Sequence, residues 1–210
     1  MHPKSGCVRV ASIHVKTCRL HRVLTAMTAA ASRTDLLRST AESFCKAFVS
    51  GTSPTEILDN YFTLNASITE HGPSWAAERL PFLGQTFRGR RQRDSAHSSG
   101  STCDDYYDLL TSTLSFHPTE KTLPSSDQFL VDPEAKGTNG RGSVTVKLQA
   151  EFKSVKTGKG WKEEFVYVLS EFDGEGKIGC QELWYVSIEL PSQQPHWVVH
   201  CALVIYGRTQ

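Results

Sequence analysis

Residues 143–152 have the sequence SVTVKLQAEF, and this stretch decides the fold. Apolar residues alternate strictly with polar ones, which is the pattern of a strand with one buried face. Two further long runs, Trp161 to Phe172 and Lys177 to Glu189, follow after the glycine-containing turns 157–160 and 173–176. Turns of this kind connect neighbouring antiparallel strands. The last third of the chain is therefore predicted to be a meander of long antiparallel strands.

Three helices are predicted ahead of these strands, at 34–50, 54–62 and 104–114. The first has apolar residues at helical spacing, namely Leu37, Ala41, Phe44 and Phe48. The second begins at Ser53-Pro54-Thr55-Glu56, a capping box with proline at the first helical position. A short strand from Asn65 to His71 lies between the second and third helices. Helices followed by a strand meander indicate an α+β fold.

Composition excludes several classes of function. A formal net charge of +1 provides no field that would gather nucleic acid or an anionic membrane surface. No apolar run approaches the roughly 20 residues needed to span a bilayer. The six cysteines are scattered, without a C-x-x-C pair or zinc-finger spacing, so we expect free thiols, a reducing compartment and no metal.

The chain is expected to divide into three parts. Residues 1–32 form a basic extension without an acidic residue, which is compatible with either disorder or mitochondrial targeting. The domain itself is predicted at 33–190, with a flexible, arginine- and serine-rich loop at 88–103. Residues 191–210 form a C-terminal tail for which the sequence predicts no placement. We expect a cytoplasmic protein, with mitochondrial targeting as the alternative.

Two acidic residues are notable because they share a strand face with apolar residues. Glu70 has the same phase as Ala66 and Ile68, and Glu182 has the same phase as a row of apolar residues that includes Cys180 and Trp184. A carboxylate in an apolar row is costly unless it is paired, hydrogen-bonded or functional. The alternatives are a carboxylate at the rim for Glu70 and a cross-strand ion pair for Glu182.

The order of elements resembles the SnoaL-like branch of the nuclear transport factor 2-like superfamily. The resemblance covers about residues 33–188 and is carried by 63–73 (TLNASITEHGP), by 106–110 (YYDLL) and by the strands 165–169 (FVYVL) and 182–186 (ELWYV). It implies a cone-shaped half-barrel of curved antiparallel sheet, with three N-terminal helices packed on it. These are patterns of shape, so they predict fold better than activity.

The resemblance also implies candidate site residues and a chemistry without metal or organic cofactor. Glu70 matches the carboxylate that acts as general base in ketosteroid isomerase. Phe44 stands where the isomerase has a hydrogen-bonding tyrosine, so a donor would have to come from another tyrosine. The tyrosines open to that role are Tyr61, Tyr106, Tyr107, Tyr167 and Tyr185.

Two functions remain open at this stage. The first is a cofactor-free isomerase, cyclase or dehydratase of secondary metabolism, acting on an apolar or aromatic ketone with Glu70 and Glu182 as catalytic residues. The second is a non-catalytic module that binds a small ligand or forms a homodimer through its sheet. The residues predicted to contact a ligand are His71, Tyr107, Tyr167 and Trp184. Each has an alternative, since histidine before Gly-Pro is typical of an exposed turn and aromatic residues are typical of a core.

Overall fold

The computed structural model describes residues 33–72, 76–91, 101–119 and 121–188, with side chains up to Tyr185. The predicted extension at 1–32, the tail at 191–210 and most of the loop at 88–103 lie outside the described residues. Within them the chain has an α+β architecture, in which three helices accompany one curled seven-stranded sheet that forms a half-barrel. The α+β prediction is confirmed.

The three helices are close to their predicted positions. Helix α1 covers residues 33–49, α2 runs from Pro54 to Tyr61 and α3 from Cys103 to Thr113. The predicted capping box of α2 is present, because the Ser53 hydroxyl accepts from the Glu56 backbone and the Glu56 carboxylate accepts from the Ser53 backbone. Two of the helices continue without a loop into strands, α2 into β1 and α3 into β3.

The sheet is built from seven strands. They are β1 (Phe62–His71), β2 (Thr86–Arg88), β3 (Leu114–His117), β4 (Leu130–Lys136), β5 (Arg141–Ser154), β6 (Gly160–Ser170) and β7 (Ile178–Ile188). The strand order is β2-β1-β7-β6-β5-β3, and β4 also pairs with β5. The three long strands β5, β6 and β7 form the predicted meander with antiparallel registers.

One detail of the predicted sheet is wrong. The sheet is mixed rather than wholly antiparallel, because β1 pairs with β7 in parallel, with Glu70 opposite Leu183 and His71 opposite Trp184. Parallel neighbours need a long connection between them, and here that connection contains α3 and five strands. Alternation along a single strand contains no information about such a distant partner.

One face of the sheet is buried against the helices. On this inner face β1 contributes Ala66, Ile68 and Glu70, and β6 contributes Glu163, Phe165, Tyr167 and Leu169, all of them buried. Helix α1 is part of the same core, where the Phe44 ring contacts Tyr167 at a centroid distance of 5.7 Å. Burial of this apolar surface against the sheet is the main favourable contribution to folding.

A residue with a strained backbone directly follows the end of β6. Glu171 has a φ of 56°, a left-handed conformation that a residue with a side chain rarely adopts. Three glycines lie against it, since a Cβ atom at Gly137, Gly140 or Gly179 would come within 2.1–2.5 Å of Glu171 atoms. The Glu171 carboxylate accepts a 2.8 Å hydrogen bond from the Thr138 backbone, so the residue holds the β4–β5 turn in place.

Candidate functional site

Glu70 is a buried carboxyl group at the end of β1. It is 2% exposed and continues the inward row of Ala66 at 2% and Ile68 at 0%. The alternation of β1 therefore places Glu70 in the core, as its phase predicts, and the alternative of a rim carboxylate does not apply. A carboxyl group in such surroundings has to be hydrogen-bonded or neutral.

Two tyrosines from different elements hold this carboxyl group. The hydroxyl of Tyr106, on α3, donates to Glu70 Oε1, and the hydroxyl of Tyr185, on β7, donates to Glu70 Oε2 at 2.6 Å. Both tyrosines are buried. Each carboxylate oxygen has two lone pairs, so each keeps one acceptor position after the tyrosine has donated. The arrangement orients Glu70 without consuming its capacity to accept a proton.

Burial controls the protonation of Glu70. Desolvation raises its pKa to about 7, and the hydrogen bonds from Tyr106 and Tyr185 act in the opposite direction by stabilising the carboxylate. A carboxyl group with this pKa exchanges its proton near neutral pH, which suits a general base. The two tyrosines have pKa values raised well above the ordinary value, mainly by burial, so they remain donors.

Tyr107 and Tyr167 lie in the same interior. Both are buried, and burial raises the pKa of each hydroxyl, with the charge of Glu70 as a further contribution. The Tyr107 ring contacts the Tyr106 ring edge-on at 5.1 Å, whereas Tyr167 contacts Phe44 and Phe165. These two predicted ligand residues therefore lie near Glu70, on the inner side of the sheet.

Glu163 is a second buried carboxyl group on this face. It is 5% exposed, and burial raises its pKa to about 8, with the charge of Glu70 contributing in the same direction. Trp161 donates from Nε1 to Glu163 Oε2 at 3.1 Å. The other oxygen, Oε1, is buried and has no hydrogen-bond partner in the described part of the chain. The interior thus contains two buried acids, and the charge of Glu70 raises the pKa of Glu163.

The other three predicted site residues form a separate group on the outer face. His71 Nε2 lies 2.9 Å from Glu182 Oε1, and the His71 ring stacks on Trp184 at a centroid distance of 3.7 Å. The side chains of His71 and Glu182 are 30% and 35% exposed, and Trp184 is 38% exposed. The expected inward orientation of Glu182 is therefore wrong, and its hydrogen-bond partner is a histidine, where the sequence predicted a lysine or arginine.

The pairing of β7 with β1 explains this difference. Paired residues lie on the same face of a sheet, and Glu70 is paired with Leu183 while Thr69 is paired with Glu182. Because Glu70 points inward, the inward row of β7 is Gln181, Leu183 and Tyr185. In sequence the row of Glu182 is the more apolar of the two rows of β7, so composition indicated the wrong face.

Two arginines near the start of the arginine-rich loop, Arg90 and Arg91, already have carboxylate partners. Arg90 donates from Nε to Asp104 at 3.1 Å and from its guanidinium to Asp59, and Arg91 donates to Asp105 and to Asp108. These pairs attach the start of the loop to α2 and to the first turns of α3. Carboxylates of the chain itself therefore neutralise both arginines.

Further features of the described chain bear on function. A surface cleft of about 350 Å³ lies beside β5 and is lined by Thr119, Lys121, Gln149, Ala150, Glu151 and Lys162, none of which is a predicted site residue. Among the described residues, no group of histidine, cysteine, aspartate or glutamate has an arrangement able to hold a metal ion. None of the described helices is long and apolar enough to cross a membrane.

No protein-family model matches the sequence, and no curated protein is significantly similar to it. Solved structures with a similar arrangement include a ketosteroid isomerase-like protein from Erwinia carotovora atroseptica (9% identity, TM-score 0.46, 74% of this chain and 97% of that chain). An NTF2-like protein from Burkholderia xenovorans has 14% identity and a TM-score of 0.46 (72% and 90% covered). A candidate SnoaL-like polyketide cyclase from Mesorhizobium loti has 11% identity and a TM-score of 0.42 (70% and 97% covered). These names agree with the resemblance of the sequence, but such scores carry no information about activity.

Sequence reasoning found part of this interior and missed part. Glu70, Tyr107 and Tyr167 were assigned to it, and Tyr106 and Tyr185 were among the tyrosines open to a donor role. Glu163 was missed, although Trp161, Glu163, Phe165 and Tyr167 alternate in the same phase. The phase argument that selects Glu70 also selects Glu163.

Proposed function

We propose that this protein is a cofactor-free enzyme that moves a proton on a small carbonyl compound, as an isomerase, cyclase or dehydratase does. The proposal rests on the buried carboxyl group of Glu70, which hydrogen bonds from Tyr106 and Tyr185 hold in one orientation. Its pKa of about 7 allows it to take up and release a proton at neutral pH.

Glu70 has the role of general base in this proposal. The carboxylate removes a proton from the carbon next to a carbonyl group, and the electron pair moves onto the carbonyl oxygen to give an enolate. The proton is then returned to another position, which completes an isomerisation. Alternatively the enolate carbon attacks a second carbonyl, and Glu70 gives its proton to the alkoxide that forms, which completes a cyclisation. The low-dielectric surroundings of Glu70 strengthen the hydrogen bonds that orient it.

The test is proton exchange at carbon, which requires no knowledge of the natural substrate. β-Tetralone, an aromatic ketone, is incubated in deuterium oxide with the protein, and incorporation of deuterium beside the carbonyl is followed by NMR. We expect Glu70→Gln to lower the protein-catalysed rate about 10²- to 10⁴-fold, the range of general acid–base contributions. Glu164→Gln is the matched control, because Glu164 lies on the outer face and pairs with Lys147 at 2.8 Å.

Two results would count against the proposal. One is an exchange rate that Glu70→Gln leaves unchanged. The other is loss of exchange in Glu182→Gln with Glu70→Gln still active, which would transfer the role of base to Glu182 and the site to the outer face.

The non-catalytic alternative has its own supporting observations. Large aromatic side chains fill much of the interior, where Phe44, Phe82, Phe87 and Phe165 are at most 1% exposed. On the outer face Trp184 is 38% exposed beside His71, which suits contact with a second copy of the chain. Measurement of the mass in solution for wild type and Trp184→Ala tests the homodimer, since only a dimer that uses this face would dissociate on substitution.

A further inference from the structure

The starting observation is the turn between β4 and β5, which contains the dipeptide Asn139-Gly140. Asn139 is exposed, and its Nδ2 atom donates to Glu171 Oε2 at 3.2 Å. The other oxygen of this carboxylate, Oε1, accepts from the Thr138 backbone at 2.8 Å. These two hydrogen bonds, which we call the turn clasp, join the turn to the residue that follows β6.

An asparagine followed by glycine is open to a reaction within its own chain, and asparagine is among the thermolabile residues of proteins. The backbone nitrogen of Gly140 attacks the side-chain carbonyl carbon of Asn139, Cγ, and the bond from Cγ to Nδ2 breaks. Ammonia leaves with the proton of the backbone nitrogen, and a cyclic succinimide remains. Water then opens the ring at either carbonyl group, which gives aspartate or isoaspartate. The reaction thus needs water as its only co-reactant.

The local structure favours this reaction at Asn139. Gly140 has no Cβ atom, so its own side chain does not hinder the approach of its nitrogen to Cγ. Within the described part of the chain, the Gly140 backbone N–H donates no hydrogen bond, whereas its carbonyl oxygen accepts from Gly137 at 3.1 Å. The attacking nitrogen is therefore not held by a hydrogen bond, and the exposed position of Asn139 gives water access to the ring.

The packing around Glu171 requires glycine at position 140. A Cβ atom at this position would overlap with the carbonyl group of Glu171. Glu171 itself is fixed in a left-handed conformation with a φ of 56°, and its side chain accepts both hydrogen bonds of the turn clasp. The residue type that makes Asn139 reactive is thus the one that the fold needs beside Glu171.

Deamidation would turn an attraction into a repulsion at the turn clasp. The Nδ2 group of Asn139 is a donor, whereas the ionised carboxylate of the product only accepts and carries a negative charge. This charge would face Oε2 of Glu171, and like charges at hydrogen-bond distance repel each other. Glu171 takes part in none of the ion pairs among the described residues, so no lysine or arginine there offsets the repulsion.

The start of helix α1 is attached beside the turn clasp. The Arg33 guanidinium donates to the carbonyl oxygens of Arg141 and Phe172, both at 3.1 Å. Arg141 is the first residue of β5, and Phe172 directly follows Glu171. The backbone of Arg141 also donates to the Phe172 carbonyl at 3.0 Å. A displacement of the turn from Glu171 would therefore weaken the attachment of α1 to the sheet.

We propose that Asn139 is a site of spontaneous deamidation in the folded protein, and that the product opens the turn clasp and lowers the stability of the fold. The proposal does not depend on the proposed function, because neither Asn139 nor Glu171 belongs to the group of residues around Glu70.

The first experiment follows the reaction in the intact full chain. The protein is kept at neutral pH in water enriched in ¹⁸O, then digested in ordinary water and analysed by mass spectrometry. The chain contains three asparagines, and Asn60 and Asn65 are internal controls because they precede Tyr61 and Ala66 and lie within α2 and β1. We expect the peptide with Asn139 to lose its amide and take up ¹⁸O, while the peptides with Asn60 and Asn65 keep their amides.

The second experiment measures what the product does to stability. Asn139→Asp introduces the aspartate product directly, and we expect its melting temperature to be lower than that of wild type by about 2–4 °C. This loss should shrink in high salt, because exposed charges are screened. The double variant Asn139→Asp/Glu171→Gln exchanges the positions of amide and carboxylate, so it should recover most of the loss. Asn65→Asp adds the same charge at another exposed asparagine and should melt close to wild type.

Three results would overturn the proposal. The first is retention of the Asn139 amide in the folded chain over a period in which a synthetic peptide of residues 136–142 loses it. The second is a melting temperature of Asn139→Asp equal to that of Asn65→Asp, which would show that the product does not open the turn clasp. The third is a loss in Asn139→Asp that neither salt nor the double variant reduces, since repulsion from Glu171 would then not be its cause.

Discussion

The substitution Tyr185→Phe removes one of the two hydrogen bonds that hold the Glu70 carboxylate and leaves the ring in place. The hydroxyl donates to Glu70 Oε2 at 2.6 Å, and the bond favours the charged form of the acid. A hydrogen bond to a charged group contributes about 1.5–3 kcal/mol. Since 1.36 kcal/mol corresponds to one pKa unit, its loss should raise the pKa of Glu70 by about 1 to 2. Tyr106→Phe should have an effect of the same sign and similar size.

The assay is a pH titration of the protein itself, without a ligand. Glutamate is labelled with ¹³C at the carboxyl carbon, and the Glu70 resonance is assigned by its absence from the spectrum of Glu70→Gln. The midpoint in wild type is expected at about 7. Tyr107→Phe is the matched control, because it removes a buried hydroxyl from the adjacent position of α3 and Glu70 has its described hydrogen bonds from Tyr106 and Tyr185.

A Glu70 midpoint near the ordinary value of 4.5 in wild type would refute the argument from desolvation. Midpoints unchanged by both Tyr106→Phe and Tyr185→Phe would refute the argument from hydrogen bonding. A shift in Tyr107→Phe as large as that in Tyr185→Phe would show that repacking, rather than a lost donor, moves the pKa.

Two further predictions concern stability. The pKa of Glu70 is raised from 4.5 to about 7 in the folded state, so the folded chain holds a proton that the unfolded chain releases, and stability decreases as the pH rises through this interval. Glu70→Gln has no such proton, and we expect its free energy of unfolding, measured in urea, to gain about 2–3 kcal/mol relative to wild type between pH 5 and pH 8; parallel curves would contradict this. Gly179→Ala should destabilise the fold by about 1–3 kcal/mol, because the added Cβ would lie 2.4 Å from the Glu171 carbonyl oxygen. Gly174→Ala, with no atom within 4 Å of the added Cβ, should remain within about 0.5 kcal/mol, and an equal loss in both variants would show that Glu171 is not the obstacle.

Features set by residues close together in the sequence could be predicted, whereas features set by distant strand pairing could not. Helix α2 was predictable because Ser53 and Glu56 are close in sequence, and a capping box acts over three residues. The burial of Glu70 was predictable because alternation with Ala66 and Ile68 is also local. The orientation of Glu182 was not predictable, because it depends on the pairing of β7 with β1, more than 100 residues earlier in the chain.

The partners of Glu70 illustrate the same limit. Tyr106 and Tyr185 come from α3 and β7, and nothing in their local sequence indicates that both hydroxyls meet one carboxyl group. Glu163 is a different case, since its alternation with Phe165 and Tyr167 was visible in the sequence. There the interpretation failed because the phase argument was applied to the strands of Glu70 and Glu182 and not to the strand of Glu163.

The direct passage from helix to strand sets where this chain tolerates insertions and deletions. Helix α3 ends at Thr113 and β3 begins at Leu114, whose backbone N–H still donates to Leu110. One residue added at this junction would turn the helix by about 100° relative to the strand, or move the strand by one register position and exchange its two faces. Either change would move Tyr106 away from Glu70. Variation in length among homologous chains is therefore not expected at 113–114.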